Sequence, residues 1–269
     1  MPDTGMLVLR DLRKTFNPGT VMRKMALAGV DLTLQPGDFI TVIGGNGAGK
    51  STLLNAIAGT FPIDNGTILL GGRDITHLPE HKRAASLGRV FQDPMTGTAA
   101  SMNIEENLAL AARRGQSRGL RWGITARERA VYREKLASLD LGLESRMGSK
   151  VGLLSGGQRQ ALTLLMATLK QPELLLLDEH TAALDPKTAE KVLRLTRHLI
   201  SENSLTALMV THNMKDALAL GNRTIMMHEG RVILDLDQEQ KKNMAVDDLL
   251  AQFEKASGRA LSNDRMLLT

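Results

Sequence analysis

At 269 residues, with 42% hydrophobic and 23% charged side chains, the chain can bury a sizeable core and has an ordinary globular composition. It contains no cysteine, which excludes a disulfide framework, a thiolate metal site and a cysteine nucleophile. The net charge of +5 and pI of about 9.6 permit contact with an anionic surface, lipid or nucleic acid, and equally describe ordinary solvated lysines and arginines.

Aromatic residues make up only 3%, so aliphatic side chains and 14 Met must fill the interior. Met1-Pro2-Asp3-Thr4-Gly5 has no basic-then-apolar leader pattern, and no apolar run approaches the roughly 18 residues that span a bilayer. The chain is therefore expected to be soluble by itself.

Met6 to Leu12 reads as a first strand, Lys14 to Thr20 as a turn, and Ala26 to Leu34 as a second strand. Gln35-Pro36-Gly37-Asp38 turns the chain into the buried strand Phe39-Ile40-Thr41-Val42-Ile43. Gly44-Gly45-Asn46-Gly47-Ala48-Gly49-Lys50-Ser51-Thr52 follows, matching the phosphate-binding pattern G-x-x-x-x-G-K-[ST] between a strand and a helix. Its glycines let several backbone N–H groups face one anion, and the helix start adds partial positive charge. Lys50 can reach the terminal phosphates of a nucleotide and the Ser51 hydroxyl can ligate Mg²⁺.

Gly66 to Gly72 and Arg89 to Phe91 are further short strands, the latter delivering Gln92. From about Ser101 to Thr168 helical spacing replaces strand patterns, which marks a helical insertion. Within it, Arg113 to Gly123 is basic, interrupted by glycine and carries the only Trp; it is expected to be an exposed loop. Leu154-Ser155-Gly156-Gly157-Gln158 opens another helix, to about Leu169, and forms a second anion nest from a hydroxyl, flexible N–H groups and a helix dipole. Two such nests suit two copies arranged head to tail, so that each nucleotide uses both.

Leu174 to Leu177 is a continuous apolar run suited to a central parallel strand. It ends in Asp178-Glu179, at the sheet edge where α/β folds bind ligands. Asp178 can hold Mg²⁺ there, and Glu179 can polarise an attacking water. A helix from Pro186 to Ile200, a strand from Ala207 to Thr211, a hairpin of Arg223–His228 with Arg231–Leu236, and a helix near Val246 to Phe253 complete the pattern.

Gly44 to Thr52, Gln92, Leu154 to Gln160, Leu177 to Glu179, Leu184-Asp185 and His212 stand in the order of the ATP-binding-cassette family, which the chain resembles over roughly residues 6 to 236. The resemblance implies an α/β fold: a RecA-like phosphate-loop NTPase core with an N-terminal antiparallel β subdomain and an inserted helical subdomain. The expected division is a cassette over 1–236, with core 1–93 and 169–236 and the insertion at about 94–168, and a polar tail over 237–269 with one short helix.

The resemblance also implies site roles. Gln92 matches the glutamine that senses Mg²⁺ and the attacking water. His212 matches the switch histidine at the γ-phosphate, and Asp185 the loop that communicates between the two sites of a dimer. Phe16 aligns with the aromatic that stacks on adenine. The sequence departs from the family pattern at two places where Pro is common, Gly45 and His180. His180 either alters the hydrogen bonding of Glu179 or is a neutral spectator.

The resulting expectation is an ATPase subunit of a bacterial importer, with ATP and Mg²⁺ as cofactors and an amino-acid-like cargo. Its expected partners are a second copy, a separate permease and an extracytoplasmic substrate-binding protein, with no specific nucleic acid. It is expected at the cytoplasmic face of the cell membrane, held there by the permease. The alternative is a soluble cassette ATPase acting on nucleic acid or ribosomes, but such translation factors carry two cassettes and chromosome members a long coiled coil.

Overall fold

The computed structural model describes residues 5–116 and 123–257, in two compact units. One comprises Met1–Arg83 with Leu205–Thr269, and the other Ala84–Ser204.

The first unit begins with β1 (Leu7–Phe16) and β2 (Lys24–Leu34), an antiparallel pair. Strand β1 runs through Lys14 to Phe16, where the sequence pattern suggests a turn. The reason lies in its irregular register: shifts flank Leu12, and Asp11 adopts a φ of +44°. Such bulges break the period-two alternation by which a strand is recognised. The turn instead starts at Asn17.

Strand β3 (Phe39–Ile43) is buried at every position and leads through the glycine-rich loop into α1 (Lys50–Ala58). Next come β4 (Asn65–Leu70), β5 (Arg73–Asp74) and the single turn α2 (Glu80–Arg83). Four of these strands make an antiparallel sheet in the order β2-β1-β4-β5. Arg83 is buried and donates to the carbonyls of Ala56 and Ile57 at 2.8 Å, and to those of Thr76 and Leu78. A planar guanidinium thereby caps the carbonyl end of the helix that the phosphate loop opens.

The second unit pairs β6 (Leu87–Val90) in parallel with β7 (Leu174–Asp178), whose four leucines are fully buried. Between them lie α3 (Ile104–Ala112), α4 (Ala126–Ala137) and α5 (Gly156–Thr168). Their core is aliphatic, with Ile104, Leu108, Leu136, Leu162 and Leu165 packed around Tyr132. Asn103 and Thr125 each begin a helix with a reciprocal capping box, which fixes where α3 and α4 start. Residues 117–122, most of the basic stretch with its Trp, lie outside the described residues. Helix α6 (Pro186–Glu202) closes this unit.

The chain returns to the first unit with β8 (Ala207–Val210), α7 (Met214–Ala219), β9 (Arg223–His228) and β10 (Arg231–Leu236). Strand β3 pairs in parallel with both β8 and β9, and β9 pairs antiparallel with β10. Strand β3 lies between two parallel neighbours with every position buried, so its side chains are apolar except Thr41, whose hydroxyl donates to Ala217 O at 3.0 Å. After the turn α8 (Gln238–Lys241), helix α9 (Val246–Ser257) places Leu249, Leu250 and Phe253 against Ile43, Met226 and Leu236. The apolar stripe of this terminal helix thus belongs to the core under the phosphate-loop strand.

Candidate nucleotide site

In the first unit the loop from Gly44 to Gly49 is shaped by close backbone approach. Gly44 has a φ of +146°, and a β-carbon there would lie 2.2 Å from the Met227 carbonyl oxygen. At Gly49, with φ +103°, it would lie 2.5 Å from the Ala26 carbonyl oxygen. The β9–β10 turn braces the same loop: Gly230 N–H donates to Ala48 O at 3.0 Å, and Gly230 O accepts from Ala28 N–H at 2.9 Å. This brace joins residues about 180 positions apart in sequence, and no local pattern signals it.

Helix α1 starts at Lys50 without a side-chain cap from Gly49. Its first turn therefore presents backbone N–H groups to the loop concavity. Lys50 is only 7% exposed, and its ammonium donates to Gly44 O at 2.7 Å and Gly45 O at 3.2 Å. A glycine loop pressed against the backbones of β2 and β9, a helix N-terminus and an ammonium held inside the loop together fit a polyphosphate. Asn46, Gly47 and Ser51 are solvent-exposed, Thr52 is half-buried and Ala48 is buried.

Phe16 ends β1 half-buried, with its ring edge-on to Phe61 at 5.3 Å. His212 is exposed between β8 and α7. It lies near Asp216, whose carboxyl is raised by burial and partly drawn back down by His212. Phe16, the phosphate loop and His212 thus all belong to the first unit.

The remaining expected site residues belong to the second unit. Gln92 is exposed two residues beyond β6. Asp178 is the half-buried last residue of β7, and Glu179 follows with φ +42°. A left-handed conformation is unfavourable for a glutamate, and backbone strain of this kind concentrates at functional sites. His180 is 2% exposed, and its Nε2 lies 2.9 Å from Thr196 Oγ1 on α6. Burial pushes the imidazole down to about 4, so it is neutral at physiological pH. Asp185 is exposed and caps α6 by accepting from Thr188 N–H at 3.1 Å; its hydrogen bonds to Thr188 hold its carboxyl below the usual range.

Ser155 caps α5. Its hydroxyl accepts from Gln158 N–H at 3.3 Å, and Gln158 Oε1 accepts from Ser155 N–H at 3.1 Å. Gly156 and Gly157 form the first turn, exposed and buried respectively. Two N–H groups of this nest are therefore satisfied within the chain, by the Ser155 hydroxyl oxygen and by Gln158 Oε1. Arg159, buried beside them, donates to the carbonyls of Val151, Gly152 and Leu154 and contacts Met95 Sδ. It staples the incoming turn to α5, a role hidden in the sequence because an arginine after a glycine pair reads as solvated.

A family model described as "ABC transporter" matches residues 27–182, a span containing the phosphate loop, the Ser155 nest and the Asp178-Glu179 edge. The chain belongs to the ABC transporter family. Over 256 residues this cassette is 43% identical to a tyrosine transport ATP-binding protein of Clostridioides difficile, covering 93% of this chain and 100% of that protein. It is 36% identical over 203 residues to the thiamine import ATP-binding protein ThiQ of Salmonella choleraesuis, covering 75% of this chain and 80% of the relative. Among solved structures, the dimeric bacterial ABC transporter cassette MJ0796 is similar, with a TM-score of 0.73 and 30% identity, covering 87% of this chain and 99% of the other. The post-hydrolysis dimer of that cassette, bound to ADP and Pi, matches with the same score and coverage.

The cassette accordingly has the RecA-like phosphate-loop fold with an antiparallel β subdomain and a helical insertion. It is an ATP-binding ATPase. Among the described residues, no helix is long and apolar enough to cross a membrane.

Proposed function

We propose that this cassette powers a bacterial import system for an aromatic-amino-acid-like cargo, acting as a head-to-tail pair on a separate permease. The observation that carries the reading is the 43% identity to a tyrosine transport ATP-binding protein across that protein's whole length. The permease would hold the pair at the cytoplasmic face of the membrane, and an extracytoplasmic binding protein would deliver cargo to it. Nucleic acid is not a specific partner in this reading.

The residues divide the work as follows. Phe16 stacks on the base, and Gly44 to Thr52 cradle the phosphates. Ser51, Asp178 and Gln92 would hold Mg²⁺, which supplies charge neutralisation at the transferring phosphoryl group. Among the described residues no three His, Cys, Asp or Glu side chains cluster as a metal site. A hydroxyl, an amide and one carboxylate suit Mg²⁺, which takes its other ligands from phosphate and water. Glu179 orients and polarises the attacking water, and His212 contacts the γ-phosphate. Ser155, Gly156, Gly157 and Gln158 of a second copy close over the nucleotide, with Asp185 between the two sites. ATP favours closure because only the closed pair uses both anion nests.

The test is uptake of labelled tyrosine by cells of the source organism lacking this chain. Wild-type protein is expected to restore uptake and Lys50→Ala is not. Unchanged uptake in the deletion strain would refute the cargo. Salt-sensitive binding of the purified protein to nucleic acid, with no permease co-purifying, would refute the transport role.

A further inference from the structure

The phosphate loop has a second ammonium beside it. A β-carbon built on Gly47 would lie 3.3 Å from Lys24 Nζ, so the end of the Lys24 side chain rests against the exposed middle of the loop. Lys24 opens β2 and pairs directly with Phe16 across the β1–β2 ladder. Directly opposed residues of an antiparallel pair project to the same face. One side chain therefore links the ring expected to stack on the base with the loop that fits the phosphates.

Among the described residues, the charge at Lys24 is also uncommitted. Nearby Lys14 lies 5.6 Å from the Phe16 ring, but it donates to Pro62 O and pairs with Asp64 at 3.1 Å. Lys24 is exposed and, among the described residues, no side-chain hydrogen bond or ion pair engages its ammonium. A cation held against a phosphate loop without a carboxylate partner raises the local positive potential and donates to an anion placed there.

We propose that Lys24 is a nucleotide-contacting residue of this cassette. Its ammonium donates to a phosphate oxygen on the Gly47 side of the loop, between the base stacked on Phe16 and the terminal phosphates at Lys50. The assignment rests on the proposed reading of the loop and Phe16, and adds to it a contact selective for the charge of the phosphate chain. Lys50 serves the inside of the loop and Lys24 its outer rim.

Equilibrium binding of Mg·ATP and ADP to the full chain, measured by titration calorimetry at two salt concentrations, tests this. Lys24→Gln is expected to weaken both nucleotides about tenfold and to flatten the salt dependence, the size expected for one charge-assisted hydrogen bond. Lys24→Arg should keep wild-type affinity within about threefold, since it keeps the charge. Adenosine, which has no phosphate, should compete equally well against wild type and Lys24→Gln. Nucleotide affinity within twofold of wild type in Lys24→Gln would overturn the assignment, as would an equal loss of adenosine binding. If Lys50→Ala abolished binding while Lys24→Gln did not change it, the site would stand and only Lys24 would fall. Wild-type protein that bound no nucleotide would overturn both.

Discussion

His180 donates its Nε2–H to Thr196 Oγ1 across 2.9 Å of buried space, and the direction of that bond is fixed by the next one. Thr196 gives its single hydroxyl proton to Val192 O at 2.9 Å, so toward His180 it can only accept. The imidazole is therefore the neutral Nε2–H tautomer, held by α6 one residue after Glu179. It is a buried strut with no charge at neutral pH. The arrangement makes the fold pH-sensitive. The imidazole sits near 6.5 when unfolded and about 4 when folded. As pH falls from about 6.5 toward 4, the unfolded chain takes up a proton that the folded chain refuses. Stability present above 6.5 is thus lost on acidification, by up to about 3 kcal/mol. Urea denaturation at pH 7.5 and 4.5 should show this loss in wild type, and His180→Gln should show a correspondingly smaller one.

Arg83 is expected to be the most sensitive arginine of the first unit. Its guanidinium satisfies four carbonyls, two of which end the phosphate-loop helix. Arg83→Met removes the guanidinium from all four carbonyls, of which Ala56 O keeps a bond from Gly59 N–H at 3.2 Å, and should cost about 3 kcal/mol. Arg83→Lys recovers only part, because three tetrahedral donors cannot reproduce a planar fork. Chemical denaturation of the nucleotide-free protein measures both.

These two residues show where sequence and structure part. The phosphate loop, the buried strand Leu174 to Leu177 and the hairpin around Gly230 are legible because a spaced motif, a continuous apolar run and a Glu-Gly turn are each local in sequence. The β1 extension to Phe16 was obscured by its bulges. Arg83, Arg159 and Lys241 are cations buried against carbonyls that later or earlier segments supply. Nothing adjacent to an arginine or lysine in sequence distinguishes such a cap from a solvated charge. The Gly230 brace on Ala48 is hidden for the same reason: it is a long-range backbone contact with no side-chain signature.

Glu179 should separate catalysis from stability. Replacing it with Gln removes the carboxylate proposed to orient water, and turnover is expected to fall by about 10²–10⁴. Binding of ATP should persist and a nucleotide-dependent dimer should accumulate, visible by size-exclusion chromatography. The φ of +42° adds a second expectation. Glu179→Ala keeps the positive-φ cost and Glu179→Gly relieves it, so Gly should be the more stable of the two by about 1 kcal/mol. Both should be inactive. Full ATPase activity in Glu179→Gln would remove it from the catalytic role.

Ser155 has two roles in the proposed closed pair, as the cap of α5 and as a hydroxyl donor to the anion of a second copy. Its hydroxyl caps α5 by accepting from Gln158 N–H, and Gln158 Oε1 accepts from Ser155 N–H. In the cap the hydroxyl oxygen only accepts, so its proton remains available to donate to an anion of a second copy while the capping box stays closed. Ser155→Ala should therefore act twice. It removes a cap worth about 1 kcal/mol from the isolated chain, read as a lower melting temperature without nucleotide. It also removes the hydroxyl proposed to meet the nucleotide of a second copy, read as slower turnover and, in the background of Glu179→Gln, weaker ATP-dependent dimerisation. Gln158→Ala discriminates the two effects. It breaks the returning bond while leaving the Ser155 hydroxyl, so it should lower stability with a smaller loss of dimerisation. Equal dimerisation defects in the two variants would mean that Ser155 acts only as a helix cap.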